Sequence, residues 1–126
     1  MFRICTLTVL FIISLSLSAW SQDSRYEKAM LKNISQLDSA IIKGGFNELE
    51  NNFDRIANAE KDQRLPYYYA AYSQVMHAYA QQDLSKIDPI ASKATDLINQ
   101  AKALAGGSNS EIHVIESMIA SAFVSV

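Results

Sequence analysis

The stretch Leu65-Pro66-Tyr67-Tyr68-Tyr69-Ala70-Ala71-Tyr72 opens the helix on which the rest of the chain is predicted to pack. Pro66 favours the first turn of a helix, because the N–H that proline lacks has no intrahelical partner there. Large residues then recur at i, i+4, i+7 and i+11, so they share one face that we expect neighbouring helices to bury. These residues are Tyr68, Tyr72, Val75 and Tyr79.

A narrower row follows another face of the same helix at i, i+4 and i+8, and it consists of Tyr69, Ser73 and His77. Tyr67 and Tyr69 flank the aromatic stripe, and we expect both to be partly exposed. Tyrosine is enriched in binding surfaces, because it offers contact area and a hydroxyl at low cost in conformational entropy. Tyr67 and Tyr69 are therefore candidates for a binding surface, whereas Tyr68, Tyr72 and Tyr79 are expected to belong to the core.

The other segments have the periodicity of amphipathic helices, and none alternates with the period of a strand. Gly44-Gly45 and Gly106-Gly107 are predicted to end two of the helices, and Asp88-Pro89 offers an N-cap and a proline at N1 for another. The sequence predicts an all-α fold of about five helices in antiparallel hairpins, with the last helix unpaired. The predicted hairpins span residues 25–61 and 65–105, and the last helix spans residues 110–126.

The same periodicity predicts which residues each helix buries. The expected core positions are Tyr26, Met30, Ile34, Leu37 and Ile41 in the first helix; Phe46, Leu49, Phe53, Ile56 and Ala57 in the second; Ile90, Ala94, Leu97, Ile98, Ala101 and Leu104 in the fourth; and Ile112, Ile115, Ile119 and Phe123 in the fifth.

Residues 1–21 have the features of a secretory signal peptide: an uncharged apolar run over residues 4–17, followed by the small-x-small site Ala19-x-Ser21. An uncleaved membrane anchor is the alternative, but the run is shorter than the roughly 20 residues that a bilayer-spanning helix needs. We therefore predict export to the periplasm or beyond and cleavage before Gln22. The mature domain, residues 22–126, is expected to have no stable membrane insertion.

The composition of the mature chain excludes two classes of protein. The only cysteine, Cys5, lies in the predicted signal, so the mature chain would contain no disulfide. Without Arg3, ten Lys and Arg stand against thirteen Asp and Glu, a formal net charge of −3. These charges are interspersed and form no basic stripe, so we do not expect nucleic acid as a partner.

The fourth predicted helix contains Ala94-x3-Ile98-x2-Ala101, which resembles the small-x3-large-x2-small signature of the second helix of a tetratricopeptide (TPR) repeat. Counting on in the 34-residue register of that family reaches Ile112, where the next repeat would begin. The third and fifth helices also resemble each other at an offset of 44 residues, with Tyr68 matching Ile112. Over about residues 46–126 the chain looks like a small exported bacterial TPR-like protein, a type of α-solenoid.

This resemblance implies a function and a set of site residues. The inner helices of TPR proteins line a groove that holds peptide segments, and the offset pairs the row on the third helix with one on the fifth. The candidate partner-binding residues are Tyr69, Ser73, His77, His113, Ser117 and Ser121. The alternative is that the small members of these rows only allow helices to pack closely.

Other candidate chemistry is sparse. His113-x-x-Glu116 is related to the i, i+3 pairs of di-iron bundles, but such a site needs a second pair and further glutamates. We interpret it as a polar pair on a helix surface, and we expect no metal, no cofactor and no enzymatic activity, since no nucleophile–base pair is visible. A periplasmic bundle that binds a small ligand or metal through His77, His113 and the tyrosines is the alternative function.

The last predicted helix has more apolar residues than one neighbouring hairpin can cover. Val114, Met118 and Val124 fall outside the arc of its expected core positions. An exposed apolar patch of this kind indicates a partner or a tendency to associate. We predict that the chain is a truncated form of a longer repeat protein, or that it self-associates through residues 110–126.

Overall fold

The computed structural model of the protein describes residues 22–124, and among these there are helices and turns but no strand. The predicted signal peptide lies outside the described residues. The all-α class is confirmed. The helices are α1 (residues 22–34), α2 (Leu37–Lys43), α3 (Phe46–Ala59), α4 (Arg64–Tyr79), a 3-10 turn (Leu84–Lys86), α5 (Ile87–Leu104) and α6 (Ser110–Val124).

The first predicted helix is interrupted by a turn at residues 35–36, which separates α1 from α2. Asn33 Nδ2 donates to the carbonyl oxygen of Ala29 at 2.8 Å, and Ser35 Oγ donates to that of Lys32 at 2.8 Å. Short polar side chains that bond to nearby backbone compete with helix continuation. Beyond the turn Ala40 is buried whereas Ile41 is 59% exposed, so the predicted core position of Ile41 is wrong.

The central helix is α4, which packs against α3, α5 and α6. Most of the residues it buries are small, and Ala70, Ala71 and Ser73 are fully enclosed. Small side chains allow the backbones of packed helices to approach closely. In α3 the predicted core is confirmed by the burial of Phe46, Leu49, Phe53 and Ala57.

Most of the predicted core positions of α5 and α6 are confirmed. Ala94, Leu97, Ile98 and Ala101 are buried in α5, as are Ile112, Ile115 and Ile119 in α6. Two predictions near helix ends are wrong, since Leu104 is 42% and Phe123 41% exposed. In α6 the neighbouring Ala122 is buried instead, in a small second cluster with Ala78, Ile87 and Ala91.

The turns between the helices are formed by glycines with positive φ and by a capping aspartate. Both glycine pairs follow helix ends with positive φ, from +75° to +138°, as predicted. The start of α5 differs from the prediction: the helix begins at Ile87, before the expected Asp88-Pro89 cap. Asp83 caps the preceding 3-10 turn instead, its Oδ1 accepting from the Ser85 amide at 3.1 Å and from Ser85 Oγ at 2.6 Å.

Within residues 22–124, no helix combines the length and apolar character needed to span a bilayer.

Candidate functional site

The solvent side of α4 carries a stripe of large apolar side chains, which we call the tyrosine face. Its members recur at i, i+3, i+7, i+11 and i+14 along the whole helix, and they are Leu65, Tyr68, Tyr72, Met76 and Tyr79. Leu65 is 39% and Tyr79 is 44% exposed, and the other three are half-buried at the edge of the core. The tyrosine face therefore meets both core and solvent.

This arrangement corrects the predicted orientation of α4. Of the four residues expected in the core, only Val75 is fully buried. Tyr67, expected to be partly exposed, is buried with 8% of its surface accessible. The physical reason is that the side of α4 enclosed by its neighbours carries mainly alanines and a serine, which allow the helix backbones to approach closely, so Tyr68, Tyr72 and Tyr79 lie at or outside the edge of the core.

An aromatic cluster joins the tyrosine face to α3. The ring of Tyr69 stacks on that of Phe53, with centroids 5.4 Å apart and an interplanar angle of 22°. Tyr68 meets Tyr69 edge to face, with centroids 5.2 Å apart and an angle of 86°. Such pairs contribute about 0.5–1.5 kcal/mol each beyond the area they bury. Tyr68 is therefore held in position by a ring that is itself fixed on the core.

Two polar contacts join α4 to α6 beside the tyrosine face. Tyr79 Oη donates to the carbonyl oxygen of Met118 at 2.6 Å. Arg64 Nη1 lies 2.8 Å from Glu111 Oε2 in an ion pair. Burial raises the pKa of the Tyr68 phenol above its usual value, and the nearby Glu111 carboxylate raises that pKa further. The phenol of Tyr68 is therefore kept in its neutral form next to the Arg64–Glu111 ion pair.

The predicted row Tyr69-Ser73-His77 lies against α3. Ser73 is fully buried, which corrects the expectation that it lines a surface groove. Its Oγ and the Nδ1 of half-buried His77 are both enclosed, and neither has a hydrogen-bond partner among the described residues. Tyr69 is half-buried beneath Tyr68. The row therefore belongs mainly to the interior of the helical hairpin formed by α3 and α4.

A buried carboxylate that sequence reasoning missed lies on α3. Glu50 is 1% exposed, and its Oε1 lies 2.6 Å from Nζ of Lys93 in α5. The carboxylate is enclosed, whereas the Lys93 side chain is 47% exposed, so this ion pair joins α3 to α5 from the surface inwards. A glutamate within the apolar stripe of α3, one turn after Phe46 and one turn before Phe53, was the available signal.

The second half of the predicted site lies on the opposite side of α6 from its buried residues. His113, Ser117 and Ser121 are all exposed there. His113 Nδ1 lies 3.1 Å from Glu116 Oε2, and Lys102 Nζ lies 2.9 Å from Glu116 Oε1. The hydrogen bond from Lys102 lowers the pKa of Glu116, with a smaller contribution from His113. Because Ser73 is buried and these residues are exposed, the six candidates do not form one groove.

A cleft of about 670 Å³ opens between α1 and α3, away from both histidines. Among its lining residues are Arg25, Tyr26, Arg55 and Glu60. In the part of the chain that the structure describes, no group of three or more His, Cys, Asp or Glu side chains is placed to hold a metal ion.

Comparison of the chain with protein-family models, with curated proteins and with solved structures finds no match.

Proposed function

We propose that the protein is a non-enzymatic, exported interaction module that holds a segment of a protein or peptide partner on the tyrosine face. The observation that carries this proposal is the composition of α4, which buries mainly small residues and leaves five large apolar side chains exposed or half-buried along one side. An apolar stripe at the protein surface that is rimmed by polar residues is typical of binding sites. Tyrosine and methionine are also enriched where proteins bind one another.

The size of the tyrosine face supports a peptide-sized partner. From Leu65 to Tyr79 the helix rises about 21 Å at 1.5 Å per residue. An extended peptide of about six residues covers the same length at roughly 3.3 Å per residue. A segment of that length would contact the whole stripe.

The electrostatics of the tyrosine face support an uncharged, apolar segment. The stripe itself contains no formal charge, and the Arg64–Glu111 pair at its end is neutralised within the protein. The phenols of Tyr68 and Tyr72 can donate to backbone carbonyls of the partner while their rings cover its apolar side chains. A charged segment would lose hydration against this surface without gaining a partner charge.

The test begins with capture of partners from the native envelope fraction and synthesis of the captured segment as a peptide. Affinity is then measured by calorimetric titration for the wild type, Tyr72→Ala and Leu65→Ala. We expect Tyr72→Ala to weaken binding at least about tenfold, in the range of interface hot spots.

Leu104→Ala is the matched control, because Leu104 on α5 is 42% exposed and Leu65 is 39% exposed. It should leave the affinity unchanged. Equal affinities for the Tyr72→Ala and Leu104→Ala proteins, both shown by thermal melting to be folded, would move the binding site away from α4.

A further inference from the structure

The cleft between α1 and α3 has the size of a small-molecule site. Its volume of about 670 Å³ lies within the range of about 300–1,000 Å³ that such sites occupy. The residues that line it belong to α1, to α3 and to Glu60 at the end of α3. None of them belongs to α4, so the cleft is separate from the tyrosine face and its role does not depend on the function proposed above.

Two arginines from the two helices line this cleft, Arg25 of α1 and Arg55 of α3. Among the described residues, neither forms an ion pair with a carboxylate, and the Arg25 guanidinium has no hydrogen bond. Arg55 donates only to neutral acceptors of its own helix, to Asn52 Oδ1 at 2.6 Å and to the carbonyl oxygen of Asn51 at 3.4 Å. Two like charges in one cleft repel each other, and an anion bound between them would replace that repulsion with attraction.

The hydrogen-bonding groups of the cleft also favour a ligand that accepts. The Glu60 carboxylate already accepts from Gln22 Nε2, at 3.3 Å and 3.5 Å. The hydroxyl of Tyr26, another lining residue, is enclosed and has no hydrogen-bond partner among the described residues. Burial raises the pKa of this phenol above its usual value, and the Glu60 carboxylate raises it further, so the phenol keeps the proton that it can donate. Donors therefore outnumber acceptors in the cleft.

The remainder of the lining is apolar. Ala29 of α1 and Ile56 and Ala59 of α3 line the cleft together with Tyr26. An apolar lining with a few polar groups is typical of sites that bind organic molecules, because the apolar part contributes affinity and the polar groups fix the orientation. A bare inorganic anion would leave this apolar surface uncovered.

We propose that the cleft binds a small organic monocarboxylate with an apolar body. A carboxylate accepts hydrogen bonds without donating any, and a guanidinium can donate two parallel bonds to it. Arg25, Arg55 and Glu60 together give the lining a formal charge of +1, which one carboxylate neutralises and a doubly charged phosphate exceeds. The apolar body of the ligand covers the alanines and the isoleucine.

Amide chemical-shift titration of the exported chain tests the ligand class. Three probes are added separately: hexanoate, hexan-1-ol, which has the same chain length without the charge, and inorganic phosphate. We expect hexanoate to give saturable shifts mainly in residues 22–30 and 52–60, and to bind at least about fivefold more tightly than either other probe. Absence of saturation by hexanoate up to about 20 mM, affinity for hexan-1-ol or phosphate equal to that for hexanoate, or shifts mainly in α4 would overturn the proposal.

A charge variant locates the carboxylate. Arg25→Gln removes one guanidinium from the cleft and should weaken hexanoate binding at least about fivefold. Lys28→Gln is the matched control, because Lys28 is an exposed positive charge of the same helix that does not line the cleft, and it should leave the affinity unchanged. Equal affinities for these two variants, both shown by thermal melting to be folded, mean that hexanoate does not bind at Arg25 and overturn the assignment.

A size variant locates the apolar body. Ala59→Trp places a large side chain in the cleft without changing its charge and should weaken hexanoate binding at least about fivefold. Ala103→Trp is the control, since Ala103 is an exposed alanine on α5 outside the cleft. Binding of hexanoate to the folded Ala59→Trp protein with the affinity of the Ala103→Trp protein contradicts binding inside the cleft.

Discussion

The enclosed side of α4 carries mainly alanines, a serine and a valine, with Gln74 and, in the first turn, Tyr67, whereas its solvent side carries three tyrosines, a leucine and a methionine. Beyond the first turn, most of the larger residues thus lie on the less buried side. A helix with neighbours on two sides is limited by the distance between backbones, so small residues are required where it is most enclosed. Aromatic residues then occupy the edge of the core, where their hydroxyls reach solvent or a backbone carbonyl. Residue size alone is therefore a poor guide to which side of a central helix is buried.

The buried carboxylate of Glu50 gives the largest expected effect. Lys93→Met would leave this carboxylate without the ammonium of half-exposed Lys93, and an uncompensated buried charge costs about 3–5 kcal/mol. We expect a loss of stability in that range by chemical denaturation. Lys102→Met is the control, because its pair with Glu116 is partly exposed and should contribute less than about 1 kcal/mol.

A second variant checks the cause of that loss. If the Glu50 carboxylate destabilises the fold only when it is unpaired, Glu50→Leu combined with Lys93→Met should recover most of the stability. A double variant no more stable than Lys93→Met alone would mean that Lys93 acts through its packing and not through its charge.

Enlarging a residue on the small side tests the close approach of the helices. Ala71 is fully buried, and Ala71→Leu should cost about 1–3 kcal/mol through overpacking. Ala103 on α5 is exposed, so Ala103→Leu should change the stability by less than about 0.5 kcal/mol. Similar melting temperatures for both variants would contradict the idea that backbone distance determines the composition of this side.

The two tyrosines Tyr69 and Tyr72 should differ in their effect on stability. Tyr69→Ala removes both ring contacts, to Phe53 and to Tyr68, whereas Tyr72 lies on the tyrosine face. At about 0.5–1.5 kcal/mol for each aromatic pair, Tyr69→Ala should cost about 1–2 kcal/mol more than Tyr72→Ala. Urea denaturation of both variants measures the order. The reverse order would indicate that Tyr72 contributes more to the core than Tyr69 does, as the sequence pattern predicted.

The smallest expected effect concerns the contact between the tyrosine face and α6. Tyr79→Phe removes the hydrogen bond to the carbonyl oxygen of Met118 and should cost about 0.5–1.5 kcal/mol. Amide exchange should increase in α6 more than in α3. Uniform acceleration over both helices would indicate that the hydroxyl affects the whole domain and does not specifically hold α6.

Sequence periodicity predicted the helical elements and the cores of the helices that bury a single stripe. In α3, Phe46, Leu49 and Phe53 stand out because polar residues separate them, so only one orientation buries the apolar stripe. The turn at residues 35–36 was not predicted, because the apolar pattern continues across it without a proline or glycine to mark a break.

The candidate site was predicted less well, because α4 has apolar residues around most of its circumference. Periodicity shows that Tyr68, Tyr72 and Tyr79 share a side, but not whether that side faces the core. The same ambiguity affected Ser73, since a small polar residue suits both an open groove and a tight helix contact. The lone glutamate in the stripe of α3 was visible in the sequence, whereas its pairing with Lys93 depends on tertiary packing.

The packing of α6 against α4 has a consequence for the order in which the chain folds. Of the helix pairs that pack extensively from α2 to α6, only α4 and α6 are not consecutive along the chain. Contacts between neighbouring helices form on microsecond to millisecond timescales, whereas the Tyr79–Met118 contact must close a loop of about 40 residues. We therefore expect the packing of consecutive helices to form the folding nucleus and the contact of α6 with α4 to form after the transition state. Weakening that contact should then accelerate unfolding and leave the refolding rate almost unchanged.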